Sequence, residues 1–321
     1  MNKEKIRQKL NKFGFDKEPF LFVISYDLSK FYIQKLQKLP KNIKYELNSQ
    51  EISKSNTKIK LEKFPISFEE YKKKFDILQE EIKNGNTYLC NLTTKTKIKT
   101  SHNLDDIYEH TNAKFKLRFQ NEDENFVCFS PERFIKIEKI KISTHPMKGT
   151  IDASIPNAQA KILGNKKEMA EHTMVVDLLR NDLSIVASKV RVEKFRYIDK
   201  INAGDKELLQ VSSKITGNLE DNWNEKIGNI ITSLLPAGSI TGTPKKKTIE
   251  ILESIEDYQR DFYTGIFGVY DGNKLDSSVM IRFIQEDSNK NTYYKSGGGI
   301  TCDSDARLEY QELLDKIYLP F

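Results

Sequence analysis

Two pairs of carboxylates have spacing that could do chemistry. Glu168 and Glu171 lie three residues apart in KKEMAEHTMVVDLLRND, and Glu309 and Glu312 repeat that spacing in ARLEYQELLDK. Residues at this separation share one face of a helix, so each segment can present two carboxylates to one point. Two such faces would form an all-oxygen donor set suited to Mg²⁺, which prefers oxygen and keeps some of its waters. Read alone, such pairs are more often surface acids. A di-iron site is disfavoured, because neither pair supplies Glu-x-x-His. Lys316 follows Glu312 by four residues on the same face, either as an ion pair along the helix or as a cation beside a metal-bound anion.

Two glycine-rich stretches could receive an anion. KSGGGITCDSD places three glycines at the end of a strand pattern, followed by Asp303, Ser304 and Asp305 as candidate helix caps. Glycines admit close approach of backbone N–H groups, and the next helix start adds partial positive charge. PAGSITGTPK is similar in kind but lacks the GxxxxGK[ST] order of a nucleotide-binding loop. In HPMKGT a single lysine, Lys148, sits between a proline turn and a glycine. Lysines mostly stand in water, and nothing local to Lys148 argues otherwise.

The elements that must carry these groups alternate between helix and strand. FLFVISYD, from Phe20, is a β-rich run, followed by a polar, lysine-rich stretch to about Lys63 compatible with loop or short helix. Ser67 and Glu70 form a capping box before a helix in which Phe68, Tyr71, Phe75, Leu78 and Ile82 recur at helical spacing up to Asn84-Gly85. TYLCNLTTKTKI reads as a strand, and FVCFSPERFIKIEKIKI as two strands joined by short turns. Further helices are expected over about 166–187, 223–235, 245–255 and 304–317, with strands over about 190–197, 207–216 and TYYKSGGGI, and a hairpin turning at Asp271-Gly272. No repeat, linker or low-complexity block interrupts the chain, so a single α+β domain over 1–321 is the economical reading.

Bulk properties bound the function. The chain has 321 residues, 38% hydrophobic and 31% charged, and its net charge of +6 is spread over lysines interleaved with acids. That pattern lacks the arginine blocks and aromatic ladders of nucleic-acid modules, so no nucleic-acid partner is expected. Cys90, Cys128 and Cys302 show no CxxC spacing, which favours a reducing, cytoplasmic setting over a disulfide framework. MNKEKIRQKLNKFGF lacks an apolar signal core, and no run of about 18 apolar residues occurs, so no membrane association is expected.

Taken together, SPERF at 130–134, PMKGT at 146–150, EHTMVVDLLRNDL at 171–183, PAGSITGTPK at 236–245, YTGIFG at 263–268, IRF at 281–283 and GGGITCDSDARLEYQE at 297–312 resemble the chorismate-utilising enzymes. The motifs occur in family order from about Thr87 onward. The resemblance implies antiparallel β-sheets packed face to face and flanked by helices, with a shortened N-terminal region over about 1–60.

It also implies roles. Mg²⁺ falls to Glu168, Glu171, Glu309 and Glu312, directly or through water, holding the ring carboxylate of chorismate. Tyr263 and Arg282 would bind the enolpyruvyl carboxylate, for which a guanidinium fork is well shaped. Ser239, Gly297, Gly299 and Lys316 match positions that contact substrate carboxylates. Glu132 of SPERF would protonate the departing C4 hydroxyl. Anthranilate synthases carry PIAGT where this chain has PMKGT, whereas aminodeoxychorismate synthases carry PIKGT. Lys148 therefore implies a covalent amine intermediate and formation of 4-amino-4-deoxychorismate, a precursor of p-aminobenzoate and folate, with anthranilate synthesis as the alternative.

Two positions depart from the pattern. Leu89 stands where many members have glutamine, and Gln210 where anthranilate synthases often have histidine, which disfavours elimination of pyruvate. No GxCxG nucleophile elbow with a downstream histidine occurs, so ammonia is expected from a separate glutamine amidotransferase subunit. No pyridoxal-phosphate lyase follows in the chain, so p-aminobenzoate release would need another enzyme.

Overall fold

A computed structural model describes residues 2–49, 60–203 and 206–319. They group into two compact units, one formed by 1–40, 131–239 and 260–279, the other by 41–130, 240–259 and 280–321. Each unit gathers three separated stretches of chain, which is why no boundary is visible in the sequence.

The first unit is built on an antiparallel sheet of nine strands. Its order is Met147–Asp152, Lys206–Asn218, Lys141–Thr144, Arg133–Glu138, Lys274–Val279, Ile266–Tyr270, Phe20–Ile24 and Phe31–Lys35, with Ser188–Ala203 pairing along Lys206–Asn218. All five residues of Phe20–Ile24 are buried, as expected of an uninterrupted apolar run between two partners. The helix Lys166–Ser184 starts at Asn165, whose side chain accepts from the Glu168 N–H, and turns His172, Val175, Val176, Leu179 and Leu183 inward.

The second unit carries eight strands, again antiparallel. Leu89–Thr100 lies between Gly242–Thr243 and Thr292–Ile300, followed by Phe283–Glu286, Asn125–Ser130, Phe115–Gln120 and Lys44–Leu47, while Leu61–Phe64 pairs with Leu89–Thr100. The capping box forms as expected: Ser67 and Glu70 exchange side-chain and backbone hydrogen bonds, and the helix Phe68–Lys83 buries Tyr71, Phe75, Leu78 and Ile82. These pack with Leu92, Ile251, Ile300 and Leu313. The helix Ala306–Asp315 is capped by Asp305, which accepts from the N–H groups of Arg307 and Leu308.

Several elements differ from the sequence expectation. The lysine-rich stretch before Lys63 contains the strands Phe31–Lys35, Lys44–Leu47 and Leu61–Phe64, and its residues 50–59 lie outside the described ones. The charged N-terminal segment is a helix, Asn2–Phe15, buried only along Ile6, Leu10 and Gly14, a stripe too narrow to read as periodicity. FVCFSPERFIKIEKIKI forms three strands, because Lys139 takes a left-handed φ of 54° and turns the chain within it. Among the described residues no helix is long and apolar enough to cross a membrane.

Candidate active site

Lys148 lies on the strand Met147–Asp152 at the edge of the first unit's sheet. Pairing with the neighbouring strand steps from Met147 opposite Ser212 to Thr150 opposite Gln210, so Lys148 and Gly149 carry one residue more than their partner. Such a bulge re-aims side chains. Gly149 takes φ 78°, which a side chain disfavours, and a β-carbon there would stand 3.2 Å from Oε2 of Glu168. Nζ of Lys148 is 3.8 Å from Oε2 of Glu171, with the two side chains 23% and 11% exposed. HPMKGT is thus a bulged strand, and its lysine meets Glu171 of the helix Lys166–Ser184 while Gly149 faces Glu168.

Behind Glu171 sits His172, a residue the sequence reading did not single out although it is next to Glu171 in the EHTM motif. It is fully buried, and Nε2 lies 2.6 Å from the Ser213 hydroxyl. Burial first, then the charges of Arg196 and Lys148, pushes its pKa down to about 4, so the ring is neutral near pH 7. This contact ties the helix to the strand that opposes the bulge.

Glu132 occupies the short connection between Asn125–Ser130 and Arg133–Glu138. Its backbone carbonyl accepts from the Ser278 hydroxyl at 2.8 Å and the Val279 N–H at 3.2 Å. Next to it, Arg133 makes a bidentate pair with Asp276 at 2.8 and 3.0 Å. The Ser239 hydroxyl donates to Oε1 of Glu132. Ser239 was expected on a substrate carboxylate, and the structure gives it this contact to the acid. Tyr263 is 2% exposed and precedes Thr264, which has φ 60°.

In the second unit the glycine run lies within the strand expected over TYYKSGGGI. Gly297, Gly298 and Gly299 lie inside the strand Thr292–Ile300, opposite Thr93, Leu92 and Asn91. Pairing on the other side stops at Lys295 opposite Phe283, so among the described residues the glycines are strand-paired along one edge. Alternate backbone groups on the other edge are not taken by a strand among the described residues. Arg282 heads that edge, immediately before Phe283, with a left-handed φ of 53° and its guanidinium 5.3 Å from the Tyr318 ring. Left-handed backbone at a non-glycine residue is costly and clusters at functional positions.

Lys316 donates to the Gly297 carbonyl at 3.0 Å and pairs with Glu312 at 2.6 Å. Glu309 is 3% exposed, and its Oε2 and Nζ of Lys316 reach the side of Gly298 from the helix. Among the described residues no three His, Cys, Asp or Glu side chains converge as a metal cage, and each unit offers its acids as a pair. Both pairs present carboxylate oxygen alone, a donor type that fits Mg²⁺ with retained waters. Leu89 is 3% exposed and apolar in its strand, and Gln210 places Nε2 3.4 Å from the Thr150 hydroxyl beside the bulge.

Residues 5–320 match the family model described as chorismate binding enzyme. The chain belongs to the chorismate-binding enzymes. It is 44% identical, over 98% of its length and 97% of the other protein, to a Pasteurella multocida protein described as PabA-like. It is 32% identical to aminodeoxychorismate synthase component 1 of Salmonella typhimurium, over 77% of this chain and 56% of that longer one. The menaquinone-specific isochorismate synthase MenF of Escherichia coli has the same fold, with a TM-score of 0.71 at 15% identity, covering 98% of this chain and 80% of that one. Membership of this family makes chorismate the substrate.

Proposed function

We propose that this chorismate-binding enzyme is component I of an aminodeoxychorismate synthase. The observation that carries the reading is the placement of Lys148 on a bulge beside Glu171. The Lys148 amine attacks C2 of chorismate while the C4 hydroxyl leaves as water with a proton from Glu132. Ammonia then bonds to C4 and expels the lysine amine from C2, giving 4-amino-4-deoxychorismate and restoring the enzyme. Arg282, Tyr263 and Lys316, with Gly297 and Gly299, hold the substrate carboxylates. Glu168, Glu171, Glu309 and Glu312 would hold Mg²⁺, which when bound neutralises the ring carboxylate and the charge that develops as the hydroxyl departs. Ammonia comes from a separate glutamine amidotransferase. The identity to an aminodeoxychorismate synthase supports this assignment.

The purified chain, given chorismate, Mg²⁺ and ammonium, should form aminodeoxychorismate by mass, with p-aminobenzoate appearing only after a lyase is added. Chelation of Mg²⁺ should stop the reaction, and Lys148→Ala should reduce it to assay background. Fluorescent anthranilate formed without the lyase, or an undiminished rate in Lys148→Ala, would refute the proposal.

A further inference from the structure

We infer that Ser239 is a positioning residue for Glu132, and that its hydroxyl fixes which carboxyl oxygen carries the proton given to the departing hydroxyl. The inference rests on the reading of Glu132 as general acid. A protonated carboxyl has one oxygen bearing hydrogen and one that only accepts. Ser239 donates to Oε1, so Oε1 is the accepting oxygen and the transferable proton belongs on Oε2.

A serine has one hydroxyl hydrogen, and in the observed bond it goes to Oε1 of Glu132. While Ser239 donates to Glu132 it cannot also donate to a substrate carboxylate. The two roles are therefore exclusive, and the observed bond selects the first.

The surroundings hold this arrangement from both ends. Ser239 sits in the 3₁₀ turn Gly238–Ile240, and a β-carbon on Gly238 would lie 2.8 Å from Oδ2 of Asp182 and 3.0 Å from the Leu178 side chain. Asp182 is 7% exposed and lies in the last turns of Lys166–Ser184, within the LLRNDL motif, for which the proposed chemistry has no other use. The turn packs closely on that carboxylate, and a side chain at 238 would force Asp182, Leu178 or the turn itself to shift. At the other end, Ser278 and Val279 anchor the Glu132 carbonyl, and the Arg133–Asp276 pair anchors the next residue. The carboxyl can then differ chiefly in which oxygen is protonated, and Ser239 removes that freedom.

The test is a double-mutant cycle with Ser239→Ala, Ser239→Thr and Glu132→Gln, following chorismate loss whichever product forms. Ser239→Ala should lower kcat about tenfold, the scale of one hydrogen bond, with KM for chorismate within about twofold. Ser239→Thr should recover most of the rate. In the Glu132→Gln background Ser239→Ala should have no further effect, and calorimetric binding of chorismate to Glu132→Gln should be unchanged by it.

A raised KM with preserved kcat, or weakened chorismate binding in the Glu132→Gln background, would overturn the inference and return Ser239 to carboxylate binding. An equal loss of kcat in both backgrounds would reduce it to a structural residue. Absence of turnover, or Glu132→Gln turning over at the wild-type rate, removes the general-acid premise and the inference with it. A product other than aminodeoxychorismate would refute the proposed function and leave the Ser239 result standing.

Discussion

Gly149 presents its bare α-carbon to Glu168, with 3.2 Å between Oε2 of that acid and the place a β-carbon would occupy. The residue after the proposed nucleophile is therefore packed on a proposed metal ligand. Gly149→Ala should cost about 1–2 kcal/mol through its left-handed φ of 78° and should push Glu168 aside. Thermal unfolding should show a lowered Tm, and the Mg²⁺ concentration for half-maximal rate should rise. If both stay at wild-type values, the contact does not hold Glu168.

Lys316 spans from its own helix to the Gly297 carbonyl at 3.0 Å. Lys316→Met keeps the aliphatic stem and removes the charge and the donor. KM for chorismate should rise about 10- to 100-fold, the range for a hydrogen bond to a charged partner, with a smaller change in kcat. Steady-state kinetics at saturating ammonium decides this, and an unchanged KM would remove Lys316 from the substrate contacts.

Glu193 lies between Lys141 and Lys214, at 2.8 and 2.7 Å on neighbouring strands of the first unit. Its hydrogen bonds to Lys141 and then Lys214 hold its carboxyl down at about 2, against an ordinary 4.5. A lowered folded value stabilises the fold at pH above 4.5, and that stability is lost as pH falls toward 2. Glu193→Gln should be less stable near neutrality by under about 1 kcal/mol, because the pair is partly exposed. The difference from wild type should vanish as pH drops through that window, as read by urea unfolding at several pH values. A difference that persists at pH 2 would show that the charge is not its source.

Much of the scaffold was legible because its signals are local. The Ser67–Glu70 capping box, the Asp271-Gly272 turn and the three-residue spacing of Glu168 with Glu171 each lie within one turn of chain, and each is realised. What escaped depends on partners far away in sequence. The bulge at Lys148 exists only against the register of Lys206–Asn218, and Ser239 meets Glu132 across 107 residues. The glycine run lies in the strand expected over TYYKSGGGI, but the partner that overrides glycine's poor strand preference, Leu89–Thr100, is about 200 residues away in the chain. The motif resemblance named the acids, the lysine and the arginine, but not which of them touch.

The sheet of the first unit has a consequence for synthesis. Phe20–Ile24 finds one neighbour, Phe31–Lys35, almost at once, but its other edge waits for Ile266–Tyr270. At about 5–20 residues per second the ribosome needs roughly 10–50 s to deliver that strand. Throughout that interval five consecutive apolar residues, all buried in the finished protein, stand beside an open row of backbone donors and acceptors. A strand buried at every position is thus one that nascent-chain chaperones would meet early and guard for long.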